Sequence, residues 1–234
     1  MLAVIIPAHN EAHLIGRCVR SVVRASGHPE LDDEEVRIFV VMDSCTDQTG
    51  PIAASLGAQV LSIDRRNVGA ARALGAQAAV TQGARWLAFS DADTIVEVGW
   101  LAQQLRCRTD AVCGVIGVED WSCHSAAVRE DFVATYRDRD GHRHIHGANL
   151  GVSAQAYQAV GGFRPLESNE DVALVEALIA AGASVAWSAA TRVVTSTRLD
   201  SRAPRGFGAA LRAAGLRLAA QEGTVDEGGP AIAL

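Results

Sequence analysis

Residues 86–93, Trp-Leu-Ala-Phe-Ser-Asp-Ala-Asp, decide the fold, because a short apolar run ends directly in two carboxylates one residue apart. A run of four apolar residues bounded by polar ones predicts a strand buried on both faces. Open α/β sheets bind ligands just outside the carboxyl ends of such strands. We therefore expect Asp91 and Asp93 at a binding site, where a cation or polar ligand offsets their mutual repulsion. On its own, the triplet 91–93 also fits a simple turn after a strand.

Short apolar runs alternate with amphipathic helical patterns on both sides of this stretch. Such alternation is typical of strand–helix–strand units around a mostly parallel sheet, so an α/β fold is predicted. The strands are predicted over 3–6, 36–42, 59–63, 86–89, 111–118, 149–153, 185–187 and 193–196. The helices are predicted from about residue 11 with Asn10 as N-cap, from Pro51 to Gly57, and over 69–82, 100–107, 124–136, 154–160, 170–181 and 208–220.

The length and composition favour one globular domain. The chain has 234 residues, of which 49% are hydrophobic, and it can bury a sizeable core without disulfides or structural metal. No internal repeat or low-complexity linker interrupts it. We expect a single domain over 1–220, with a nucleotide-binding half over about 1–120 and an acceptor half over about 121–220. The Gly-rich residues 221–234 are expected to form a flexible tail.

The charge and the cysteine content exclude several classes of protein. All 21 basic residues are Arg, and against 27 acids they give a formal net charge of −6, which argues against a nucleic-acid-binding surface. No apolar run approaches the roughly 18 residues of a transmembrane helix, and no basic segment precedes the first apolar run. Five scattered Cys residues suit a reducing compartment, so a cytoplasmic location is expected.

The excess of Arg has two further implications. A Lys-free, Arg-rich composition hints at a GC-rich bacterial genome. The Arg-rich C-terminal segment leaves a peripheral membrane contact open, although a solvated helix face explains it better.

Four further polar segments follow predicted strands or open predicted helices. They read PAHNE at 7–11, DSCTD at 43–47, NVGAAR at 67–72 and ED at 170–171. The first three lie at or after carboxyl ends of strands, so they should converge on one crevice with 91–93. In this order the five motifs resemble those of the family 2 glycosyltransferases, over about residues 2–182. The resemblance implies the GT-A fold, a Rossmann-like three-layer α/β/α sandwich with a mostly parallel central sheet.

The resemblance also implies a donor site for a nucleoside-diphosphate sugar. The residues expected to bind it are Pro7, Ala8, His9, Glu11, Asp43, Arg72, Ser90, Asp91 and Ala92. Asp43 can accept a hydrogen bond from a uracil imide, and Arg72 suits the diphosphate charge. Met42 stands where many members carry a first acid, so a UDP-sugar is the first guess while guanine and thymine stay open. Glu11 also fits a first-turn acid that stabilises a helix.

A divalent cation, Mg²⁺ or Mn²⁺, is the implied cofactor. Hard oxygen ligands suit these ions, which one or two carboxylates and substrate phosphates commonly hold together. Many GT-A enzymes add a downstream His, but no His follows His146 in this chain. The metal is therefore expected on Asp93, with Asp91 second, together with diphosphate oxygens and water.

The motif at 170–171 implies the catalytic base. Sugar transfer with inversion needs a carboxylate that takes the proton of the acceptor hydroxyl, and Asp171 is the expected base. The positive end of the following helix favours the carboxylate form. Glu170, His146 and Asn149 are expected on the acceptor side. The alternative is a plain helix start with Asn169 as its cap.

The histidine-rich run at 142–146 lies just before the expected acceptor side. Because His144 and His146 alternate along an extended segment, both are predicted to face one side. The run lacks Cys or Glu at zinc-site spacing, so a polar loop is favoured over a metal site.

Two other functional classes stay open. A nucleotidyltransferase shares the sheet and the paired acids but usually has a glycine-rich basic loop after its first strand, where this chain has Ala8-His9-Asn10. A non-catalytic nucleotide- or sugar-binding module of the same fold is the second. The preferred prediction is a hexosyltransferase-type glycosyltransferase acting on a hydroxyl acceptor.

Overall fold

A computed structural model describes residues 1–198 and 207–225 and contains one eight-stranded mixed sheet within those ranges. The strands are β1 Leu2–Ala8, β2 Val36–Asp43, β3 Gln59–Ile63, β4 Trp86–Phe89, β5 Thr94–Val96, β6 Ala111–Gly117, β7 Leu150–Ser153 and β8 Val185–Thr195. The helices are α1 Ile15–Ser26, α2 Thr49–Ser55, α3 Val68–Thr81, α4 Trp100–Arg106, α5 Ala126–Thr135, α6 Ala154–Ala159, α7 Glu170–Ala180 and α8 Phe207–Val225. A single 3-10 turn, Pro29–Leu31, follows α1.

The sheet confirms the predicted α/β class. Its strand order is β3-β2-β1-β4-β7-β6-β8-β5. Four of the seven neighbouring pairs are parallel, namely β1–β2, β1–β4, β2–β3 and β6–β8. The other three pairs, β4–β7, β6–β7 and β5–β8, are antiparallel. Since β1, β2 and β4 run in the same direction, the segments that follow them leave the sheet at one edge.

The core forms where helices cover the central strands. All seven residues of β1 are buried, as expected for a strand between two parallel neighbours. Helix α3 crosses β1 and β2 closely because Gly75 has no side chain: a Cβ there would lie 2.6 Å from Cγ2 of Ile5. This close crossing fixes the start of α3 beside the carboxyl edge of the sheet.

The chain divides into two compact units. The first comprises 1–117 and 138–195 and contains the whole sheet. The second comprises 118–137 with the described residues from 196 onward, and within it α5 and α8 pack together. Its apolar centre is an aromatic group around Phe132, whose ring lies 5.4 Å from that of Trp121, 4.7 Å from Tyr136 and 5.7 Å from Phe207.

The structure differs from the predicted helices and strands most clearly in three places. Helix α1 begins at Ile15 rather than near residue 11, because Asn10 adopts a left-handed conformation (φ 52°) and its side chain accepts a hydrogen bond from the Thr46 N–H instead of capping a helix. Strand β5 was missed, since three residues carry no detectable period. The two predicted strands over 185–187 and 193–196 form one strand, β8, with a register shift opposite Gly114 and Val115.

Two further features concern the membrane and the C-terminus. Within the described ranges, no helix combines the length and apolarity that crossing a bilayer requires. Helix α8 extends to Val225, into the segment predicted as a tail, and residues 226–234 lie outside the described residues. The predicted single domain over 1–220 stays a prediction.

Candidate functional site

A buried arginine organises the polar residues at the carboxyl end of β4. Arg72, on α3, is only 3% exposed. Its Nη2 donates to Oδ1 of Asp91 at 2.6 Å, and its Nη1 donates to Oε1 of Glu170 in a short ion pair. Burial alone would lower the pKa of Arg72, but the charges of Asp91, Glu170 and Asp171 outweigh it and raise that pKa. The guanidinium is therefore a permanent positive charge inside the protein.

Arg72 was expected close to the charge of a diphosphate, and that role stays a prediction. In the structure both terminal nitrogens bind carboxylates of the chain itself, one after β4 and one at the start of α7. Arg72 thus joins three elements, α3, β4 and α7, that are distant in sequence.

Glu170 is the buried partner in this network. Glu170 is the first residue of α7, and it is 6% exposed. Burial raises the pKa of Glu170, Arg72 opposes that rise, and the nearby charge of Asp171 adds to it. Because its Oε1 is bound by Arg72, Glu170 holds the helix start in place, and any contact with an acceptor falls to its other oxygen.

The predicted base, Asp171, lies in the first turn of α7. Its Oδ2 accepts a hydrogen bond from the Gly147 N–H at 2.7 Å, and its Oδ1 accepts one from the Val172 N–H at 2.8 Å. Asn169 does not cap the helix through its side chain; it adopts a left-handed conformation with φ 59°. The two backbone donors fix the orientation of the carboxylate and leave lone pairs on both oxygens for further donors.

Gly147 is a site residue that sequence reasoning missed. Besides donating to Asp171, it lies against the guanidinium: a Cβ at this position would be 2.5 Å from Cζ of Arg72. The need for a glycine comes from a residue 75 positions away in the chain, so no local sequence signal could have indicated it.

The two carboxylates after β4 lie close to a common buried thiol. Cys18 on α1 donates from Sγ to the backbone carbonyl of Asp91 at 3.2 Å. Burial raises the pKa of the Cys18 thiol, and the negative charges of Asp93 and Asp91 raise it further. The negative charges of both acids therefore act on the buried thiol beneath the loop.

The two acids also meet the chemical requirements of a divalent metal. Carboxylate oxygens are the ligands that Mg²⁺ and Mn²⁺ prefer, with water and substrate phosphates completing the coordination. Over residues 1–198 and 207–225, no group of three or more His, Cys, Asp or Glu side chains converges as a metal site. A cation held by Asp93 and Asp91 would thus need oxygens from the donor, and Oδ1 of Asp91 is already bound by Arg72.

Asp43 occupies the carboxyl end of β2 and accepts four hydrogen bonds from its own chain. Its Oδ1 accepts from the backbone N–H groups of Arg65 and Arg66, both at 2.8 Å, and from the Ser44 hydroxyl at 3.1 Å. Its Oδ2 accepts from the Asn67 N–H at 2.6 Å. Burial opposes ionisation, but these donors outweigh it and lower the pKa of Asp43.

The expected contact between Asp43 and uracil stays a prediction. The carboxylate holds the loop over 64–67, and Oδ2 accepts one hydrogen bond where Oδ1 accepts three. Next to it lies an open depression between the ends of β2 and β3. Its lining residues are Met42, Ser44, Cys45, Thr46, Ser62, Ile63, Asp64 and Arg66.

The segment after β1 is braced against the segment after β2. Pro7 and Ala8 are the last two residues of β1. His9 donates from Nδ1 to the backbone carbonyl of Asp43 at 2.6 Å. Glu11 is buried, and its N–H donates to the Thr49 hydroxyl at 2.7 Å. These contacts bring the predicted nucleotide-binding residues of both segments to the same edge of the sheet.

Asp47, in the loop after β2, ties the two segments together. Its Oδ2 accepts from the Ala12 N–H at 3.0 Å, and its Oδ1 accepts from the backbone N–H of Thr49 at 3.0 Å and from the Thr49 hydroxyl at 2.5 Å. Thr49 is fully buried and was not singled out from the sequence. Asp47 therefore connects the segment after β1 to the start of α2.

Three other predicted contacts lie inside the core. Ser90 is fully buried, and its hydroxyl finds no hydrogen-bond partner among the described residues. Ala92 is 4% exposed. Asn149 is 0% exposed, and its amide accepts from Nε1 of Trp100 and donates to the carbonyls of Val115 and Thr191, each at 2.8 Å. Since all the polar atoms of the Asn149 side chain are engaged, it joins α4, β6 and β8, and its place on the acceptor side stays a prediction.

The histidine run forms a stack beside the predicted base. The rings of His142 and His144 lie 5.3 Å apart, and those of His144 and His146 lie 5.8 Å apart, with nearly parallel planes. Burial lowers the pKa of His146 to about 4, with further lowering by His144 and an opposing effect of Asp171. The prediction that His144 and His146 face one side is confirmed, and His146 is a neutral group near Asp171 at neutral pH.

The sequence matches the protein family described as glycosyl transferase family 2 over residues 3–157. No curated protein matches the chain. Among solved structures, TarS 1-349 of S. aureus in complex with UDP-GlcNAc has a TM-score of 0.65 at 15% identity, covering 88% of this chain and 61% of that one. The mannosyltransferase PcManGT from Pyrobaculum calidifontis, in complex with GDP-Man and Mn²⁺, has a TM-score of 0.64 at 18% identity, covering 98% of this chain and 65% of that one.

A third similar structure is glucosyl-3-phosphoglycerate synthase from Mycobacterium tuberculosis, in complex with Mg²⁺ and UDP. Its TM-score is 0.57 at 17% identity, covering 83% of this chain and 70% of that one. At these identities the likeness establishes the fold. The chain spans about three fifths of the TarS structure that it matches.

Proposed function

The chain belongs to glycosyltransferase family 2, and from that membership we propose that it transfers a sugar from a nucleoside-diphosphate sugar to a hydroxyl group of an acceptor. The similar structures that hold UDP-GlcNAc and GDP-Man support this donor class. A UDP-sugar remains the first donor to test, and GDP-sugars come next. The enzyme class is a hexosyltransferase-type transferase.

One observation carries the proposal: Arg72 gathers Asp91 and Glu170 at the edge of the sheet, with Asp171 next to them in the first turn of α7. Acids on a donor-side loop and on a helix start thereby share one site. The two acids would serve different steps: the donor-side acid would hold a cation that neutralises the leaving diphosphate, and the acid of the helix start would take the proton of the incoming hydroxyl.

Asp171 is proposed as the general base of an inverting transfer. The acceptor oxygen attacks the anomeric carbon from the side opposite the diphosphate, and the bond from that carbon to the diphosphate oxygen breaks. The hydroxyl proton passes to a carboxylate oxygen of Asp171. The hydrogen bonds from the Gly147 and Val172 N–H groups orient this carboxylate before the acceptor arrives, which supports the assignment.

Asp93 and Asp91 are the residues proposed to hold a divalent cation. When bound, Mg²⁺ or Mn²⁺ would neutralise the charge that develops on the departing diphosphate. The complexes of PcManGT with Mn²⁺ and of the glucosyl-3-phosphoglycerate synthase with Mg²⁺ support such a requirement. Asp93 is the preferred ligand, because Arg72 competes for Asp91.

The acceptor is proposed to approach α7 from the side of His146. Because His146 is held neutral beside Asp171, it can exchange hydrogen bonds with a hydroxyl group without adding a positive charge. The chemical identity of the acceptor is left to the transfer assay.

The first test is thermal unfolding of the chain with UDP, GDP, TDP, CDP or ADP, each with Mn²⁺, Mg²⁺ or a chelator. A ligand at about a hundred times its dissociation constant adds roughly 2.7 kcal/mol of stability, which raises the melting temperature measurably. We expect a metal-dependent rise of the melting temperature with one diphosphate, and that diphosphate identifies the nucleobase of the donor. Asp93→Asn should lose that rise, whereas Glu97→Gln, which changes an exposed acid four residues away, should keep it.

Diphosphate release from the matching nucleotide sugar then tests catalysis. Release with added hydroxyl compounds supports a transferase. If a diphosphate binds but no sugar is ever released, the chain is a non-catalytic binding module. If no diphosphate binds under any condition, the proposed donor site is wrong.

A further inference from the structure

Gly147 lies where two halves of the proposed site meet. Its N–H donates to Oδ2 of Asp171 at 2.7 Å, so it orients the proposed base. Its Cα faces the guanidinium of Arg72, where an added Cβ would lie 2.5 Å from both Cζ and Nη1. Contacts this short do not occur for real Cβ atoms, so the guanidinium or the loop would have to shift.

The glycine is required for space and not for its backbone freedom. Among the described residues, the glycines with φ in the left-handed region are Gly57, Gly83, Gly141, Gly161, Gly162 and Gly182, and Gly147 is not one of them. An alanine at 147 therefore avoids the strain of a left-handed backbone. The three atoms nearest to its methyl group would all belong to the guanidinium of Arg72.

The guanidinium cannot move aside without breaking other contacts. Arg72 is held at one terminal nitrogen by Asp91 and at the other by Glu170, and its Cζ lies 5.7 Å from the centre of the Phe163 ring. It is 3% exposed, so no solvent-filled space is available for it. A side chain at 147 must therefore shift Arg72 or the loop that contains residue 147. A shift of Arg72 displaces Asp91, and a shift of the loop displaces Asp171.

We propose that the contact between Gly147 and Arg72 is a positioning device that sets the donor-side carboxylate Asp91 and the acceptor-side carboxylate Asp171 relative to each other. Both residues act through their neighbours, so each is a positioning residue. The inference rests on the proposed function for its kinetic consequences, but its steric part stands on the geometry alone.

The proposal predicts a pattern that separates it from the loss of a single catalytic group. Gly147→Ala should weaken binding of the nucleoside diphosphate, through Asp91, and slow sugar release at saturating donor, through Asp171. Each effect should be about tenfold or more, because misplacements near 1 Å cost rate by factors of this order or larger. Asp171→Asn should slow release and leave the dissociation constant of the diphosphate unchanged.

The experiment compares four variants of the full chain with the wild type: Gly147→Ala, Arg72→Lys, the double variant of these two, and Gly99→Ala. Gly99 is the matched control, because a Cβ there meets its nearest neighbour at an ordinary 3.8 Å and its φ is −82°. Melting temperature, diphosphate affinity and release rate are measured for each. Lysine keeps the charge but lacks the broad guanidinium that would contact the methyl group.

The melting temperatures form a double-mutant cycle that does not depend on activity. In the double variant the added methyl faces a slimmer side chain. The fall in melting temperature of the double variant should therefore be clearly smaller than the sum of the falls in the two single variants. If the fall in the double variant equals the sum of the two single falls within error, the proposal is overturned. If Gly147→Ala alone is insoluble, a soluble double variant supports the proposal, and an insoluble double variant beside soluble Arg72→Lys counts against it.

The kinetic arms separate this inference from the proposed function. Wild-type affinity and wild-type release rate in Gly147→Ala overturn the positioning role while leaving the transferase intact. If the wild-type chain neither binds a diphosphate nor releases one from a sugar, the proposed function fails. The melting-temperature cycle then decides the steric contact by itself.

Discussion

Nη2 of Arg72 lies 2.6 Å from Oδ1 of Asp91, so the first of the two acids that follow β4 already has a positive partner within the protein. The same guanidinium binds Glu170 at the start of α7. Replacing one member of a buried ion pair leaves the charge of its partner uncompensated. The resulting loss of stability is larger than the stabilisation that the pair itself contributes. The network is therefore a sensitive point for stability as well as for the proposed chemistry.

Arg72→Met should destabilise the chain by about 3 kcal/mol or more, because it leaves the buried Glu170 carboxylate without its counter-charge. Urea unfolding of the variant and the wild type measures the difference. The control is Arg85→Met, which removes an exposed arginine that also binds a carboxylate, that of Glu34. That surface pair should contribute about 1 kcal/mol or less. Equal losses in the two variants would contradict a buried role for Arg72.

The parts of the fold that the sequence predicts best are those set by local pattern. Residues 59–63 and 86–89 were predicted as strands with the observed bounds, because short apolar or β-branched runs end at clear turn signals. Helix α3 also begins next to its predicted start, where the Asn67 side chain caps it by accepting from the Ala70 N–H at 2.8 Å. Each of these signals lies within a few residues of the element that it predicts.

The parts that the sequence could not predict depend on distant partners. The polar character of Asp43 indicated a ligand contact, yet its partners are the N–H groups of 65–67, across the end of the neighbouring strand. The pairing of Arg72 with Glu170 joins residues 98 positions apart. Local patterns place such groups at the correct edge of the sheet, but only the folded chain determines which of them bind each other.

Asn149 provides a test of structure against function at a residue first expected on the acceptor side. Asn149→Ala should destabilise the chain by about 2 kcal/mol or more, because the indole N–H of Trp100 and the carbonyls of Val115 and Thr191 each lose a buried partner. Affinity for the donor diphosphate should not change in the folded fraction. The exposed amide variant Gln82→Ala should stay within about 0.5 kcal/mol of wild type in urea unfolding. A stable Asn149→Ala chain that has lost only transfer would instead support the acceptor role.

The histidine stack predicts loss of stability in acid. Burial and the neighbouring histidines lower the pKa of His146 to about 4, and burial with His144 also lowers the pKa of His142. The unfolded chain takes up these protons near pH 6.5, so the stabilisation is complete above that pH and disappears as the pH falls towards 4. For His146 alone the loss between pH 7 and pH 5 should be about 2 kcal/mol.

Urea unfolding at pH 7 and at pH 5 measures this loss. His146→Asn should reduce the difference between the two pH values, because the variant has no imidazole to protonate at that position. His13→Asn removes an exposed histidine outside the stack and should keep the wild-type difference. An unchanged difference in His146→Asn would mean that other groups cause the acid sensitivity.

Asp171 is the residue on which the proposed chemistry depends most directly. In Asp171→Asn the amide oxygen can still accept the Gly147 N–H, but the amide nitrogen cannot accept the Val172 N–H, so the loop should keep its place and the melting temperature should fall only modestly. The amide cannot take a proton from the acceptor, so transfer should fall by about 10²–10⁴-fold. Affinity for the donor diphosphate should match the wild type. Glu176→Gln, which alters an exposed acid on the same helix, should transfer at the wild-type rate. Because neither change is expected to unfold α7, full activity in Asp171→Asn would mean that another group accepts the proton.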